Sequence, residues 1–129
     1  MPLVEIFVSE SRPASDRKQL ADAVHQALVQ TISIPEADRF QLVRTLSAVD
    51  AFIDATYLGL TRTPDFVVVR VTLRRGRSNA IKRALYAAVA ANAAAAVGVR
   101  PEDVMIVLAE NEAVDWSFGA GLSQYALEN

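Results

Sequence analysis

The chain has 129 residues, 52% hydrophobic and 22% charged, with a formal net charge of −2, a balance that fits one compact domain over residues 1–129 and excludes a disordered or multidomain chain. A slightly acidic composition argues against nucleic acid as a partner, because phosphate binding needs a strongly basic surface. The absence of cysteine excludes disulfides, thiolate metal sites and a cysteine nucleophile. The apolar runs, such as 66–69, fall far short of the ~20 residues that span a bilayer. No basic stretch followed by an apolar one opens the chain, which predicts a cytoplasmic protein with no membrane partner.

Pro2 follows Met1 directly, and proline is small enough for the methionine to be trimmed, which leaves a secondary amine at the chain start. An α-amine titrates near ~7.7–8.0 in model peptides, so its surroundings can set it as a neutral base or a cationic acid. Residues 3–8 alternate Leu3, Glu5 and Phe7 against Val4, Ile6 and Val8 and read as a strand. Ser15 offers an N-cap for a helix over 15–31, with Leu20, Val24, Ala27, Leu28 and Thr31 on one face and His25 beside that stripe as a flanking structural residue. Ile34-Pro35-Glu36 ends the helix, and 40–46 is a second strand.

In the second half, 66–73 is a strand, 74–77 a turn, and Ser78 caps a helix reaching Val97 that Gly98 closes. Pro101 to Asp103 lead into a strand over 104–108, with Glu102 and Asp103 serving the turn. Lys18-x-Leu20-x-x-x-Val24 has a counterpart in Lys82-x-x-Leu85-x-x-x-Val89, a duplication with a period of roughly 65 residues. The expected fold is therefore α/β of the α+β type. Two β-α-β units form a four-stranded mixed sheet with two helices on one face. Successive valines around Val69 and Val71 suggest that both sheet faces need cover, and a second copy of the chain is the natural source.

The densest chemical signal is Arg74-Arg75-Gly76-Arg77-Ser78, three guanidinium groups at a strand-to-helix junction. Such groups bind carboxylates bidentately, and a helix N-terminus adds its own positive end. Periodicity leaves open whether Pro2 lies at the same end of the sheet.

These residues together resemble the tautomerase superfamily, whose members carry a catalytic amino-terminal proline, and within it the malonate semialdehyde decarboxylase branch. The resemblance rests on Pro2, on Ile34-Pro35-Glu36-Ala37-Asp38-Arg39-Phe40-Gln41, on Arg75-Gly76-Arg77-Ser78 and on Asp115-Trp116-Ser117-Phe118-Gly119. It implies a tautomerase fold, a homotrimer, and an enzyme that acts on a small oxo-carboxylate without metal or organic cofactor. By that resemblance Pro2 is the catalytic proline, Asp38 its acidic partner, Arg75 and Arg77 the polarising pair, and Trp116 with Phe118 an apolar wall. The decarboxylase has a proline where this chain has Gly76, and Arg74-x-x-Arg77 equally resembles the spacing of the related cis-3-chloroacrylic acid dehalogenases. Arg74 and Arg75 are thus both candidates to pair with Arg77. Tyr125 stands where the decarboxylase has a phenylalanine, which makes that wall more polar.

Two opposing effects act on Pro2: nearby arginines lower its pKa and an ionised Asp38 raises it. A prolinium suits decarboxylation of a 3-oxo acid or hydration of an unsaturated one. A neutral amine suits proton transfer in a keto–enol tautomerase, or imine formation with an aldehyde. Loss of carbon dioxide from a small oxo-carboxylate is the leading reading, with a 2-oxo acid tautomerase or hydratase as the alternative. A trimeric binding protein with a vestigial proline site, as in the migration inhibitory factor branch, is the alternative of another class.

Overall fold

Leu3–Ser9 forms β1, and its pleat buries Val4, Ile6 and Val8 while Leu3, Glu5 and Phe7 stay half-buried on the other face. The computed structural model describes residues 1–127. After β1 the chain enters α1, Ala14–Ile32, one residue earlier than expected. Pro13 holds the cap position at φ −64° and ψ 157°, and Asp16 N–H closes the first turn onto its carbonyl at 3.0 Å. The pyrrolidine ring presets φ at the helix entrance, so Ser15 falls inside the first turn and caps nothing. Leu20, Val24, Ala27 and Leu28 are buried, while Thr31 is half-buried and returns its hydroxyl to the Ala27 carbonyl at 2.7 Å. His25 is not a flanking residue. It is 2% exposed, with Nε2 2.8 Å from the Glu36 carbonyl, and so ties α1 to the loop that follows it.

The sheet adds β2, Gln41–Leu46, β3, Val67–Arg74, and β4, Val104–Asn111, in the order β2-β1-β3-β4. β1 runs parallel to β2 and antiparallel to β3, and β3 runs parallel to β4. The sheet is therefore mixed, as expected, with the antiparallel step at the join of the two halves. β4 extends three residues beyond the expected 104–108 and ends with Asn111 paired to Arg74. Between β3 and β4 lies α2, Asn79–Val97, where the Ser78 hydroxyl accepts from Ile81 N–H at 3.2 Å and Gly98 closes the helix at φ 70°.

One core cluster joins both helices to one sheet face: Leu20, Val24 and Leu28 of α1 and Leu85, Val89 and Ala93 of α2 meet Val4, Ile6, Val69, Val71 and Leu73. Alanines at 23, 27 and 93 are buried and keep side-chain bulk low between the helices and the sheet. The opposite sheet face is mixed rather than continuously apolar. Cross-strand rows there read Leu42–Glu5–Arg70–Val107 and Arg44–Phe7–Val68–Met105, and Leu42, Met105 and Val107 are exposed.

Residues 47–65, for which no element is expected, carry two short 3₁₀ turns, Ala48–Asp50 and Tyr57–Gly59. Asp103 does more than serve its own turn. Buried at 4% exposure, it accepts from Thr63 N–H and Oγ1, both at 2.7 Å, and fastens that segment to the entrance of β4. The segment is also held by Arg12, which pairs with Asp65 at 2.5 Å and Asp16 at 2.9 Å. Among the described residues no helix is long and apolar enough to cross a membrane.

Leu85 is fully buried where α2 meets the sheet. Leu85→Ala should cost about 2–5 kcal/mol, the lost transfer energy plus the cavity left behind. Denaturant unfolding measures it, and a cost below about 1 kcal/mol would mean that α2 repacks freely on the sheet.

Candidate active site

Antiparallel pairing of β1 with β3 decides the strand direction that periodicity leaves open. Leu3 faces Thr72, so the amino-terminal end of β1 meets the carboxyl end of β3, where the arginines begin. Parallel pairing of β2 brings its start to the same place, with Val4 N–H bonded to the Phe40 carbonyl at 2.9 Å. β4 ends there too, and delivers residues 111–118. Segments spread from residue 1 to residue 118 therefore converge at one end of the sheet.

Met1 and Pro2 are both buried. The Met1 α-amine forms an ion pair with Asp38, whose side chain is 15% exposed. Arg39, a rival partner for that carboxylate, pairs instead with Asp22 at 2.6 Å. Burial, then the charge of Arg77, then that of Arg74, lower the amine's pKa from 8.0 to about 6. These effects outweigh the attraction of the carboxylate, which taken alone would favour the cation. Sequence reasoning weighs the charges but omits desolvation, the largest cause. Only the register that carries the chain start inward makes that burial visible.

The three arginines part company. Arg77 donates to the Arg74 carbonyl at 2.7 Å, across a turn where Gly76 takes φ 129°, outside the comfortable range of other residues. The Arg74 guanidinium lies 5.8 Å from the centroid of the Tyr125 ring, within cation–π range. Arg75 points to Glu112, with Nε 2.5 Å from Oε1, and both side chains are more than half exposed. The candidates of the sequence reading thus separate into Arg74 and Arg77, whose charges reach the amine, and Arg75, tied to an outer acid.

Trp116 and Phe118 stack at 5.5 Å with an interplanar angle of 12°. Phe118 also meets Tyr125 edge-on at 5.2 Å and Phe40 at 5.2 Å. A cleft of about 380 Å³ opens against this cluster, lined by Leu3, Phe40, Thr72, Asn111, Trp116 and Phe118, among others. A separate recess of about 320 Å³ is lined by Arg74, Arg75, Gly76 and Arg77 with the end of α1. The end of the sheet that carries the buried amine thus presents a cationic recess suited to an anion and an aromatic cleft suited to an apolar group. Phe40 and Asn111 escape the sequence reading. Phe40 is taken as the start of a strand and as part of the motif around Asp38 but is given no role in the site, and Asn111 lies beyond the expected end of β4. Counting register back from the Pro2 strand would have placed Phe40 here.

Comparison with known proteins agrees with this fold. A family described as "Tautomerase enzyme" matches residues 38–119, and a second family of the same description matches residues 2–56. A probable tautomerase of Bacillus subtilis (strain 168), YusQ, is 37% identical over 96% of this chain and 98% of its own, and YrdN of the same strain is 33% identical over 97% and 96%. Among solved structures, FG41 malonate semialdehyde decarboxylase inhibited by 3-bromopropiolate is 37% identical, covers 95% of this chain and 93% of its own, and superposes with a TM-score of 0.90. A fused 4-OT described as a symmetric trimer is 25% identical, covers 98% and 99%, and has a TM-score of 0.81. The fold, the span of both family matches and the identity to full-length relatives place the chain in the tautomerase family.

Proposed function

We propose that, once Met1 is removed, the Pro2 amine is the reactive group of an enzyme that decarboxylates a small 3-oxo acid of the malonate semialdehyde type. The observation that carries this reading is the buried chain start, where the Met1 amine next to Pro2 pairs with Asp38 in the field of Arg77 and Arg74 and where Leu3 lines an aromatic cleft. The likeness to malonate semialdehyde decarboxylase supports the choice of reaction.

Burial and the charges of Arg77 and Arg74, which lower the Met1 amine, act in the same direction on the neighbouring Pro2 nitrogen and favour its uncharged, nucleophilic form. The Pro2 nitrogen adds to the aldehyde carbon, water leaves, and a cationic iminium forms. The bond to the carboxylate carbon then breaks, its electron pair enters the iminium, and carbon dioxide departs. The resulting enamine takes a proton at carbon, and water releases acetaldehyde and the free amine. Asp38 orients the amine and supplies or accepts its proton. Arg77 and Arg74 polarise the carbonyl oxygen as the amine adds, and Arg75, engaged by Glu112, stands outside that pair. Trp116 and Phe118, with Phe40, hold the departing carboxylate where few water molecules solvate it, which favours its loss.

A second reading has its own support. The same uncharged amine is a base suited to moving a proton between carbon and oxygen, and the curated relatives are called probable tautomerases. The exposed Leu42, Met105 and Val107 on the open sheet face, together with the trimeric fused 4-OT, support a homotrimer that covers that face.

Proton NMR with malonate semialdehyde separates the two reactions. Wild-type protein should produce acetaldehyde, Pro2→Ala should produce none, and Asp38→Asn should lose at least about a hundredfold in rate while keeping its fold. No acetaldehyde from the wild type, with turnover of enolised 2-oxo acids instead, moves the tautomerase reading forward. Normal turnover by Asp38→Asn removes Asp38 from the chemistry.

The pH profile follows from the same surroundings. Activity that needs the uncharged amine should rise with pH, with an inflection below the ordinary α-amine value of 8.0. Deleting a neighbouring positive charge eases protonation, so Arg77→Met should carry the inflection of kcat/KM upward, toward the ordinary α-amine range. An inflection that stays in place would take Arg77 out of the amine's field. For assembly, light scattering should give a trimer mass that Val107→Asp lowers; a monomeric wild type would overturn the trimer.

A further inference from the structure

Asn111 ends β4 opposite Arg74 and joins two parts of the site at once. Its backbone carbonyl accepts from Arg75 N–H at 2.9 Å, which fixes the start of the arginine turn. Its side-chain oxygen Oδ1 accepts from the indole Nε1–H of Trp116 at 2.6 Å. An indole nitrogen only donates, so the amide oxygen must be the atom that faces it, and the amide nitrogen is forced to the other side. Asn111 lines the cleft with Trp116, Phe118 and Thr72. Among the described residues no protein acceptor is bonded to that nitrogen, although the oxygen of the same amide is held by the indole.

We infer that Asn111 has two roles in this cleft: it positions Trp116 through Oδ1, and it offers its Nδ2 hydrogens to an oxygen of the bound carboxylate substrate. The substrate class rests on the function proposed above. The chemistry of the contact follows from the indole bond alone, because a donor-only ring dictates which end of the amide is left for a ligand. A carboxylate or carbonyl oxygen accepts such hydrogens, whereas a cation or an apolar group gains nothing from them. Asn111 thereby adds a neutral donor beside the arginines, and it can read an oxygen's position without adding charge near the amine.

Trp116 is the only tryptophan of the chain, so intrinsic fluorescence reports this indole alone. The arginine turn uses the backbone carbonyl of residue 111, which survives any side chain there, so substitutions should keep the strand end. Malonate, which is stable, serves as the probe with the full chain. Asn111→Asp keeps an acceptor for the indole, loses the donor and adds a negative charge. It should leave the emission maximum of the free protein in place and weaken malonate binding at least about tenfold. Asn111→Leu keeps the approximate shape without polar atoms and should shift the emission maximum even without ligand. Undiminished malonate binding by Asn111→Asp overturns the contact, and an unmoved emission maximum in Asn111→Leu overturns the positioning role. Acetaldehyde release, followed in parallel, tests the reaction separately. Wild type that binds malonate through Asn111 but makes no acetaldehyde keeps this inference and discards the decarboxylase, while wild type with no fluorescence response to malonate overturns the inference whatever its turnover.

Discussion

The antiparallel pairing of β1 with β3 is the constraint on which the rest of the site depends. Each half of the chain alone is a β-α-β unit with parallel strands, and a parallel join of the two halves would send the amino terminus to the end of the sheet away from the arginines. With Leu3 opposite Thr72, the first residues come within reach of the turn that follows Arg74. The register is set by burial. Sliding β1 by one residue would expose Val4, Ile6 and Val8 and bury Glu5, a change of several side chains at roughly 1.5–3 kcal/mol each. The same hydrophobic pattern that folds the sheet therefore aims the amine.

Bringing the chain start into that corner has an electrostatic consequence. A buried ammonium loses hydration, and neighbouring guanidinium groups repel it, so the proton is held less tightly than in water. Asp38 sits against the amine and offsets part of that penalty. The folded chain consequently binds this proton less well than the unfolded chain does. Stability contributed by the uncharged amine is present above the unfolded value of 8.0 and is lost as pH falls toward about 6. A corner that is unfavourable for a cation keeps the amine uncharged over a wider range of pH than water does.

Much of this was legible in the residues. Alternation locates all four strands to within a few residues, because one sheet face is buried against helices and polar positions fall on the other. Ser78 and Gly98 mark the ends of α2 because a hydroxyl cap and a left-handed residue leave direct traces in sequence. What was not legible depends on pairing between distant segments. Pro13 displaces Ser15 as the entrance to α1, and His25 is buried because a loop 11 residues further on folds over it. Asn111 belongs to the site only because β4 continues alongside β3 to the last register pair. Strand direction, and with it the meeting of Pro2 and the arginines, is a property of the pairing and not of either strand.

The arginine turn shows how one residue can redirect a shared motif. Where the resembled decarboxylase has proline between its arginines, this chain has Gly76 at φ 129°, a value that the proline ring, locked near −65°, cannot adopt. A Cβ at that position would meet nothing within 4 Å, so the obstacle to another residue is backbone conformation and not space. The turn here must therefore follow a different path from one built on proline. On that path Arg77 folds back to the Arg74 carbonyl, and Arg75 swings outward to Glu112. The electrostatic partner of Arg77 at the amine becomes Arg74, three residues away, whose guanidinium is held over the Tyr125 ring. Tyr125 stands where the decarboxylase has phenylalanine, and it still offers the aromatic face that a cation needs. Gly76 and Tyr125 thus both bear on Arg74: the turn through the glycine brings Arg77 to its carbonyl, and the tyrosine ring lies within cation–π range of its guanidinium.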